Sequence, residues 1–311
     1  KRGLQLPEIS LGLWHNFGDI DDFEVSRSMI LYAFENGVTH FDLANNYGPP
    51  PGSAEANFGK ILGRELKTHR DELIISSKAG HRMWNGPYGD GGSRKSVMAR
   101  IDQSLKRTGL EYFDIFYSHR YDPQVPLEET IQALVDIVRQ GKALYVGLSK
   151  YPVDKAVEAY ALLRDEKVPC LVYQDRYSML VRNPEKEHVA LNAEEGVGFV
   201  AFSPLAQGLL TDKYLNGIPE NSRAHKNTGF LKESDVTQSV VQKISQLNNL
   251  ALKRGQSLAE MALAWLLYNQ NVTSVIVGAS SVAQLDKNLK ASQNTDFSSE
   301  ELSLIDAITT Q

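Results

Sequence analysis

A chain of 311 residues with 42% hydrophobic and 23% charged side chains has the makeup of an ordinary globular protein, long enough for two domains or for one α/β barrel. Its net charge of −5 argues against nucleic acid as the main partner, and a single cysteine, Cys170, excludes an internal disulfide framework and suits a reducing compartment. There is no apolar run of about eighteen residues and Lys1-Arg2-Gly3-Leu4 lacks a signal-peptide core, so the expectation is a cytoplasmic protein without membrane insertion.

In chain order, residues 9–13 read as a first strand and 23–35 as a helix with Ile30, Leu31 and Phe34 on one face. A short strand at 39–44, bounded by Gly37 and Asn45-Asn46, precedes a helix at 54–66 whose buried stripe is Phe58, Ile61, Leu62 and Leu66. The third strand, 73–78, runs into a glycine- and aromatic-rich loop at 80–92, after which Ser93 N-caps a helix to Arg107. The alternation continues with strands at 113–119, 143–148, 171–173, 197–202 and 274–277. Helices fall at 127–140, 154–166, 238–254, 258–268, 282–291 and 299–308, with a less regular helical stretch after the sixth strand. A polar excursion at 212–235 breaks the rhythm.

Eight nearly continuous apolar strands alternating with helices require parallel pairing, because each return carries a helix. The expected fold is one domain over residues 1–311: a (β/α)8 barrel with a long cofactor-covering loop after strand 7 and a C-terminal helix. An open doubly wound sheet would need a G-x-G-x-x-G turn after the first strand, and Gly12-Leu13-Trp14-His15-Asn16-Phe17 does not supply one.

A barrel gathers the polar residues that close its strands onto one rim: Asp42, Lys78, His119, Ser149, Gln174, Ser203 and Ser280. A lysine ending an apolar strand needs a partner to offset desolvation, and Asp42 is the expected one. Lys78 is then placed to lower the pKa of Tyr47, five positions after Asp42, by stabilising its phenolate, and His119 to hydrogen-bond a substrate oxygen. Singly, a strand-end acid or lysine is as a rule an exposed pair, and a lone histidine a hydrogen-bonded neighbour. Together, at successive strand ends, phenol, ammonium, carboxylate and imidazole suit protonation of a carbonyl oxygen while hydride arrives at its carbon.

The motifs Gly12-Leu13-Trp14-His15-Asn16-Phe17-Gly18, Phe41-Asp42-Leu43-Ala44-Asn45-Asn46-Tyr47-Gly48-Pro49-Pro50-Pro51-Gly52-Ser53-Ala54-Glu55, Tyr117-Ser118-His119-Arg120, Ser203-Pro204-Leu205-Ala206-Gln207-Gly208-Leu209-Leu210-Thr211 and Gly278-Ala279-Ser280-Ser281 resemble those of the aldo-keto reductase superfamily. The resemblance covers nearly the whole chain and is strongest to the branch holding bacterial L-glyceraldehyde 3-phosphate reductases and potassium-channel β-subunits. It implies a catalytic tetrad of Asp42, Tyr47, Lys78 and His119, with Tyr47 as general acid, and NADPH as cofactor with no metal. It assigns Ser149 and Gln174 to the nicotinamide carboxamide and leaves ring stacking to Arg176 or Tyr177. Ser203, Leu205 and Gly208 fall to the pyrophosphate, Lys213 and Arg223 to the adenosine 2′-phosphate, and Ser280, Gln284 and Asn288 to the adenosine end, with Trp14, Asp42 and Gly278 also lining the cofactor.

For the substrate, Trp14, Trp84 and Tyr88 are candidate walls and Arg82 and Arg120 candidate phosphate ligands, with Tyr47 and His119 meeting the carbonyl. The implied reaction is reduction of a small aldehyde, L-glyceraldehyde 3-phosphate or a related or toxic aldehyde such as methylglyoxal. A regulatory channel-subunit role is the alternative, although His119 stands where those subunits generally carry an amide. A lyase or aldolase forming a Schiff base at Lys78 leaves Tyr47, Lys213 and Ser280 without linked roles. Relative to the family, only residues 3–7 remain for the usual N-terminal hairpin and little chain for a C-terminal substrate loop; homo-oligomer formation is left open.

Overall fold

Strands of three to seven mostly buried residues make up the sheet of the computed structural model, which describes residues 3–220, 222–226 and 231–310. β1 (Ile9–Gly12), β2 (His40–Asp42), β3 (Ile74–Ala79), β4 (Phe113–Ser118), β5 (Ala143–Ser149), β6 (Val172–Arg176), β7 (Gly198–Phe202) and β8 (Val272–Val277) pair in sequence order. All pairs are parallel, and β8 closes on β1. The result is the expected (β/α)8 barrel.

Around it lie α1 (Phe23–Glu35), α2 (Ser53–Ile61), α3 (Arg94–Thr108), α4 (Leu127–Arg139), α5 (Val153–Asp165), α6 (Ala190–Glu195), α7 (Arg223–Lys226), α8 (Gln238–Lys253), α9 (Leu258–Tyr268), α10 (Val282–Leu289) and the C-terminal α11 (Ser299–Thr309). Among the described residues no helix is long and apolar enough to cross a membrane. Ser93 caps α3 by accepting from the Ser96 amide. The helix expected at 54–66 is regular only to Ile61, then widens into a π turn at Leu62–Leu66 and tightens into a 3-10 turn at Lys67–Glu72. The irregular stretch after β6 is a π turn at Glu185–Val189 running into α6. The polar excursion after β7 holds 3-10 turns at Asp212–Tyr214 and Glu233–Asp235 with α7 between them; its residues 221 and 227–230 lie outside the described residues.

Side chains alternate across each strand, and this period of two divides the strands into a lining and an outer face. On β3, Ile75 packs in the main core beneath the helices, while Ile74 belongs to a second cluster with Ile115, Tyr117, Val172, Val200 and Ile276 inside the barrel. No hairpin precedes β1 among the described residues; Leu4 and Leu6 pack against that inner cluster instead. The lining contributed by β8, β1, β2 and the upper part of β3 is polar, with Ser274, Ser10, His40, Asp42, Ser76 and Lys78 all buried.

The outer face of β3 carries a tie of its own. Ser77 donates to buried Glu55 of α2 at 2.6 Å, and Arg107 of α3 pairs with the same carboxylate at 2.7 Å. Glu55, part of a motif that reads as a site signature, thus joins two helices to the strand that carries Lys78. A buried carboxylate keeps its charge only with such partners.

Candidate active site

Asp42 is the last residue of β2, and Lys78 is the penultimate residue of its neighbour β3. Both point into the barrel, where Lys78 Nζ meets Asp42 Oδ2 at 2.5 Å. The ammonium also donates to the Leu43 carbonyl oxygen at 2.8 Å and to the Tyr47 hydroxyl at 3.4 Å. Its three protons are therefore all in use. With all its protons committed, the ammonium presents no lone pair to a carbonyl, so the contacts give the Schiff-base reading no support. Burial pushes its pKa down and Asp42 opposes the fall. Below it, Tyr117 occupies the space left by a missing side chain at Gly147, where a Cβ would come within 2.4 Å of the ring.

Tyr47 sits just beyond β2, in a turn whose amide donates to the Ala44 carbonyl and whose carbonyl accepts from Gly52 and Ala54. Burial, with the Asp42 charge, raises its pKa well above the usual phenol value. The net shift runs opposite to the lowering expected from Lys78, because burial and the Asp42 charge both disfavour the phenolate. Tyr47 therefore holds its proton firmly at neutral pH.

His119 follows β4, held by its amide on the Ala79 carbonyl. It stands edge-on to Tyr47 at 6.0 Å and to His81 at 4.4 Å. Burial lowers its pKa well below the ordinary value, and Lys78, His81, Lys150 and Arg120 lower it further, so the ring is neutral. His81 is likewise pushed down, to about 4, by burial and then by Lys150 and Arg120. Neither His81 nor Lys150 belongs to the constellation legible in the sequence; they lie three positions beyond Lys78 and one beyond Ser149.

Sequence reading also misses a buried polar chain within the barrel. Ser274 meets Ser10 at 2.7 Å, Ser10 meets His40 Nδ1 at 2.8 Å, and His40 Nε2 meets Ser76 at 3.0 Å. Ser76 then donates to Asp42 Oδ1 at 2.7 Å. The available signal was the spacing of two: His40 and Asp42 on one strand, Ser76 and Lys78 on the next.

The residues expected around a cofactor fall in different surroundings. Ser149 Oγ and Asn288 Nδ2 are buried without a hydrogen-bond partner. Gln174 donates to Asp42 Oδ1 at 3.2 Å. Ser280 gives both its amide and its hydroxyl to Gln284 Oε1, just ahead of the Ser281 cap of α10. Gly278 is exposed with open space where a Cβ would stand. The segment holding Ser203, buried Leu205 and Gly208 is strained: Ser203, Ala206 and Gln207 all have positive φ, a conformation costing about 1–3 kcal/mol per non-glycine residue. Lys213 is exposed, whereas Arg223 is half-buried and its charge helps hold His15 down at about 4, after burial. Tyr177 is withdrawn from any stacking role, since its ring packs between Phe199 and Trp265 outside the barrel; Arg176 is on the exposed end of β6.

Of the expected substrate walls, Trp14 lies 6.0 Å from the Tyr47 ring and stacks on His15 at 4.2 Å. Trp84 and Tyr88 are exposed in the loop after β3; the Trp84 indole donates to Pro87 and Lys95 covers the Tyr88 ring. Arg120 is not free, as it donates to Asp90 at 2.9 Å and to the Gly80 carbonyl. Arg82 is exposed.

Burial, with Lys78 adding to it and Asp42 opposing, holds His40 at about 4 instead of the ordinary 6.5. The unfolded chain takes up that proton near pH 6.5 and the folded chain only near 4. The stability associated with neutral His40 is thus full above pH 6.5 and lost as the pH falls toward 4, about 3 kcal/mol in all. Urea unfolding across this range is expected to show a flatter decline in His40→Gln than in the wild type.

The aldo/keto reductase family model matches residues 8–310. The chain is 53% identical over 310 residues to the L-glyceraldehyde 3-phosphate reductase of Escherichia coli (strain K12), covering 98% of this chain and 90% of that protein. Over 297 residues it is 37% identical to a probable voltage-gated potassium channel subunit beta of Arabidopsis thaliana, covering 94% and 89%. A protein of the same description from Oryza sativa subsp. japonica is 34% identical over the same length. With its closed eight-stranded barrel and a family match over almost its entire length, the chain belongs to the aldo/keto reductase family and is an oxidoreductase.

Proposed function

We propose that this chain, acting as one barrel domain, uses NADPH to reduce a small aldehyde, and that the aldehyde is L-glyceraldehyde 3-phosphate. The observation that carries the chemistry is the contact of the Tyr47 hydroxyl with the Lys78 ammonium, 3.4 Å apart, backed by Asp42 and facing His119. When bound, NADPH supplies hydride to the carbonyl carbon. Tyr47 gives its proton to the carbonyl oxygen, and Lys78 stabilises the phenolate as the proton leaves. Neutral His119 orients that oxygen by hydrogen bonding. Asp42 keeps Lys78 charged inside a barrel that would otherwise discharge it.

The cofactor assignment is supported by polar atoms lacking partners of their own. Ser149 Oγ and Asn288 Nδ2, sealed without hydrogen bonds, suit the carboxamide and adenosine ends. Gln174, Trp14 and Asp42 border the first of these, and Ser280, Gln284 and Gly278 the second. The strained turn through Ser203, Leu205 and Gly208 suits the pyrophosphate, and the excursion after β7 covers the cofactor.

Replacing Tyr47 with Phe is expected to lower kcat by roughly 10²–10⁴-fold while NADPH binding, followed by nicotinamide fluorescence, stays near wild type. A variant with more than half the wild-type kcat would sink the mechanism.

NADPH is preferred to NADH because Lys213 and Arg223 offer charge-assisted bonds to a 2′-phosphate that NADH lacks. Changing both to Ala should weaken NADPH far more than NADH in parallel titrations. Equal weakening would show that the pair does not read that phosphate.

The triose phosphate rests on the 53% identity to the Escherichia coli reductase and on a basic rim. Arg82 is the exposed arginine there, while Arg120 reaches a phosphate only by leaving Asp90. Wild-type kcat/KM should be higher for glyceraldehyde 3-phosphate than for glyceraldehyde, and Arg82→Ala should raise KM for the phosphorylated compound alone. Without that preference the protein is a general aldehyde reductase, with methylglyoxal among the compounds to assay. A channel-subunit-like role is favoured by the 37% and 34% relatives, and a reductase with ordinary turnover argues against it.

A further inference from the structure

Apart from Asp42 and Lys78, the polar lining of the barrel has no part in the reaction just described, yet its hydrogen bonds have only one consistent direction. Asp42, ionised opposite Lys78, can only accept, so Ser76 gives its single proton to Oδ1. The Ser76 oxygen must then accept from His40 Nε2, which makes Nε2 the protonated nitrogen. A neutral imidazole has one N–H, so Nδ1 is an acceptor and takes the Ser10 proton. The Ser10 oxygen in turn accepts from Ser274. Every bond in the run points toward Asp42.

That direction matters because Asp42 divides its two oxygens between different tasks. Oδ1 accepts from Ser76 at 2.7 Å and Gln174 at 3.2 Å, leaving Oδ2 for Lys78. If Ser76 turned its proton elsewhere, Oδ1 would keep only the longer of these bonds. The carboxylate would then be freer to rotate away from the ammonium that faces Tyr47. His40 prevents this by occupying the Ser76 lone pair with a donor, which leaves the hydroxyl proton facing Asp42. His40 hydrogen-bonds neither Lys78 nor Tyr47, and the hydrogen-bonded route from it to Asp42 runs through Ser76.

We propose that His40, as its neutral Nε2–H tautomer, is a positioning residue for proton transfer: through Ser76 it commits a proton to Asp42 and so holds the Asp42–Lys78 pair in register with Tyr47. The proposal rests on the reading of Tyr47 as the acid. It separates His40 from the apolar lining residues Ile115, Val172 and Val200, which fill space.

The test compares His40→Leu, His40→Gln, Ser76→Ala and the His40→Leu/Ser76→Ala double variant as full-length protein. His40→Leu should lower kcat roughly tenfold, the loss expected from weakening one hydrogen bond to a charged group, with KM for the aldehyde and NADPH affinity unchanged. It should also displace the alkaline limb of the kcat–pH profile, which a purely structural filler would leave in place. His40→Gln, whose amide N–H can reach Ser76, should restore most of the loss, and the double variant should be no slower than Ser76→Ala. Nitrogen NMR of the wild type should show His40 as the Nε2–H tautomer at neutral pH. A His40→Leu enzyme with wild-type kcat and pH profile, multiplicative losses in the double variant, or an Nδ1–H or doubly protonated ring would each overturn the proposal. Should His40→Leu fail to fold, His40→Gln and Ser76→Ala carry the comparison. The NMR measurement needs no turnover, so it tests the tautomer and the direction of the hydrogen bonds separately from the proposed function, which an inactive wild type would overturn.

Discussion

An ammonium and a carboxylate enclosed together in a barrel form the constraint on which the rest of this structure depends. Each buried ion costs several kcal/mol of lost hydration, and mutual attraction offsets this only when the remaining protons and lone pairs are also satisfied. Here they are: Lys78 spends its protons on Asp42, Leu43 and Tyr47, and Asp42 accepts from Lys78, Ser76 and Gln174. The need for these partners explains why one half of the lining is polar while Ile115, Val172 and Val200 fill the other. It also explains why the strand bearing Lys78 is anchored on its outer face by Ser77, Glu55 and Arg107. A site that must hold a charge where water is absent requires rigid neighbours on every side.

The same desolvation sets the acid–base character of the groups around the pair. It pushes Tyr47 up, and it pushes His119, His81 and His40 down, so the phenol keeps its proton and the imidazoles stay neutral. A protonated phenol beside an ammonium is the arrangement that the proposed reduction of a carbonyl needs. Burial loads the acid, and the cation stabilises it once the proton has gone. Outside this sealed layer lies a basic rim in which Lys150 and Arg82 are exposed and Arg120 is held by Asp90.

Motif residues serve two different ends in this fold. Within the stretch from Phe41 to Glu55, Asp42 and Tyr47 face the site, but Ser53 binds the Pro50 carbonyl and accepts from Asp19, and Glu55 ties α2 to β3 and α3. Asn57, just beyond, donates to Phe17. A long sequence match therefore records the scaffold that aims the chemistry as well as the chemistry, and the two are distinguishable only by where each side chain points.

The eight strands, their parallel order and the gathering of Asp42, Lys78 and His119 at strand ends were legible in the sequence, because apolar runs alternating with 3.6-period helices are properties of local segments. The helices Phe23–Glu35 and Leu258–Tyr268 were readable to their ends, since caps and periodicity agree there. What required the tertiary structure were the relations between segments. The chain Ser274–Ser10–His40–Ser76–Asp42 joins residues as far apart as 264 positions, and its members are adjacent only because β8 closes on β1. Arg120 reads as a free cation until the loop after β3 brings Asp90 to it. Tyr177 reads as a stacking ring until the pleat turns it outward onto Trp265. The direction of the Tyr47 shift likewise depends on how deeply the fold buries the phenol. Local pattern fixes which residues form a strand and which face they share, whereas barrel closure and packing depth decide what each face meets and which charges survive there.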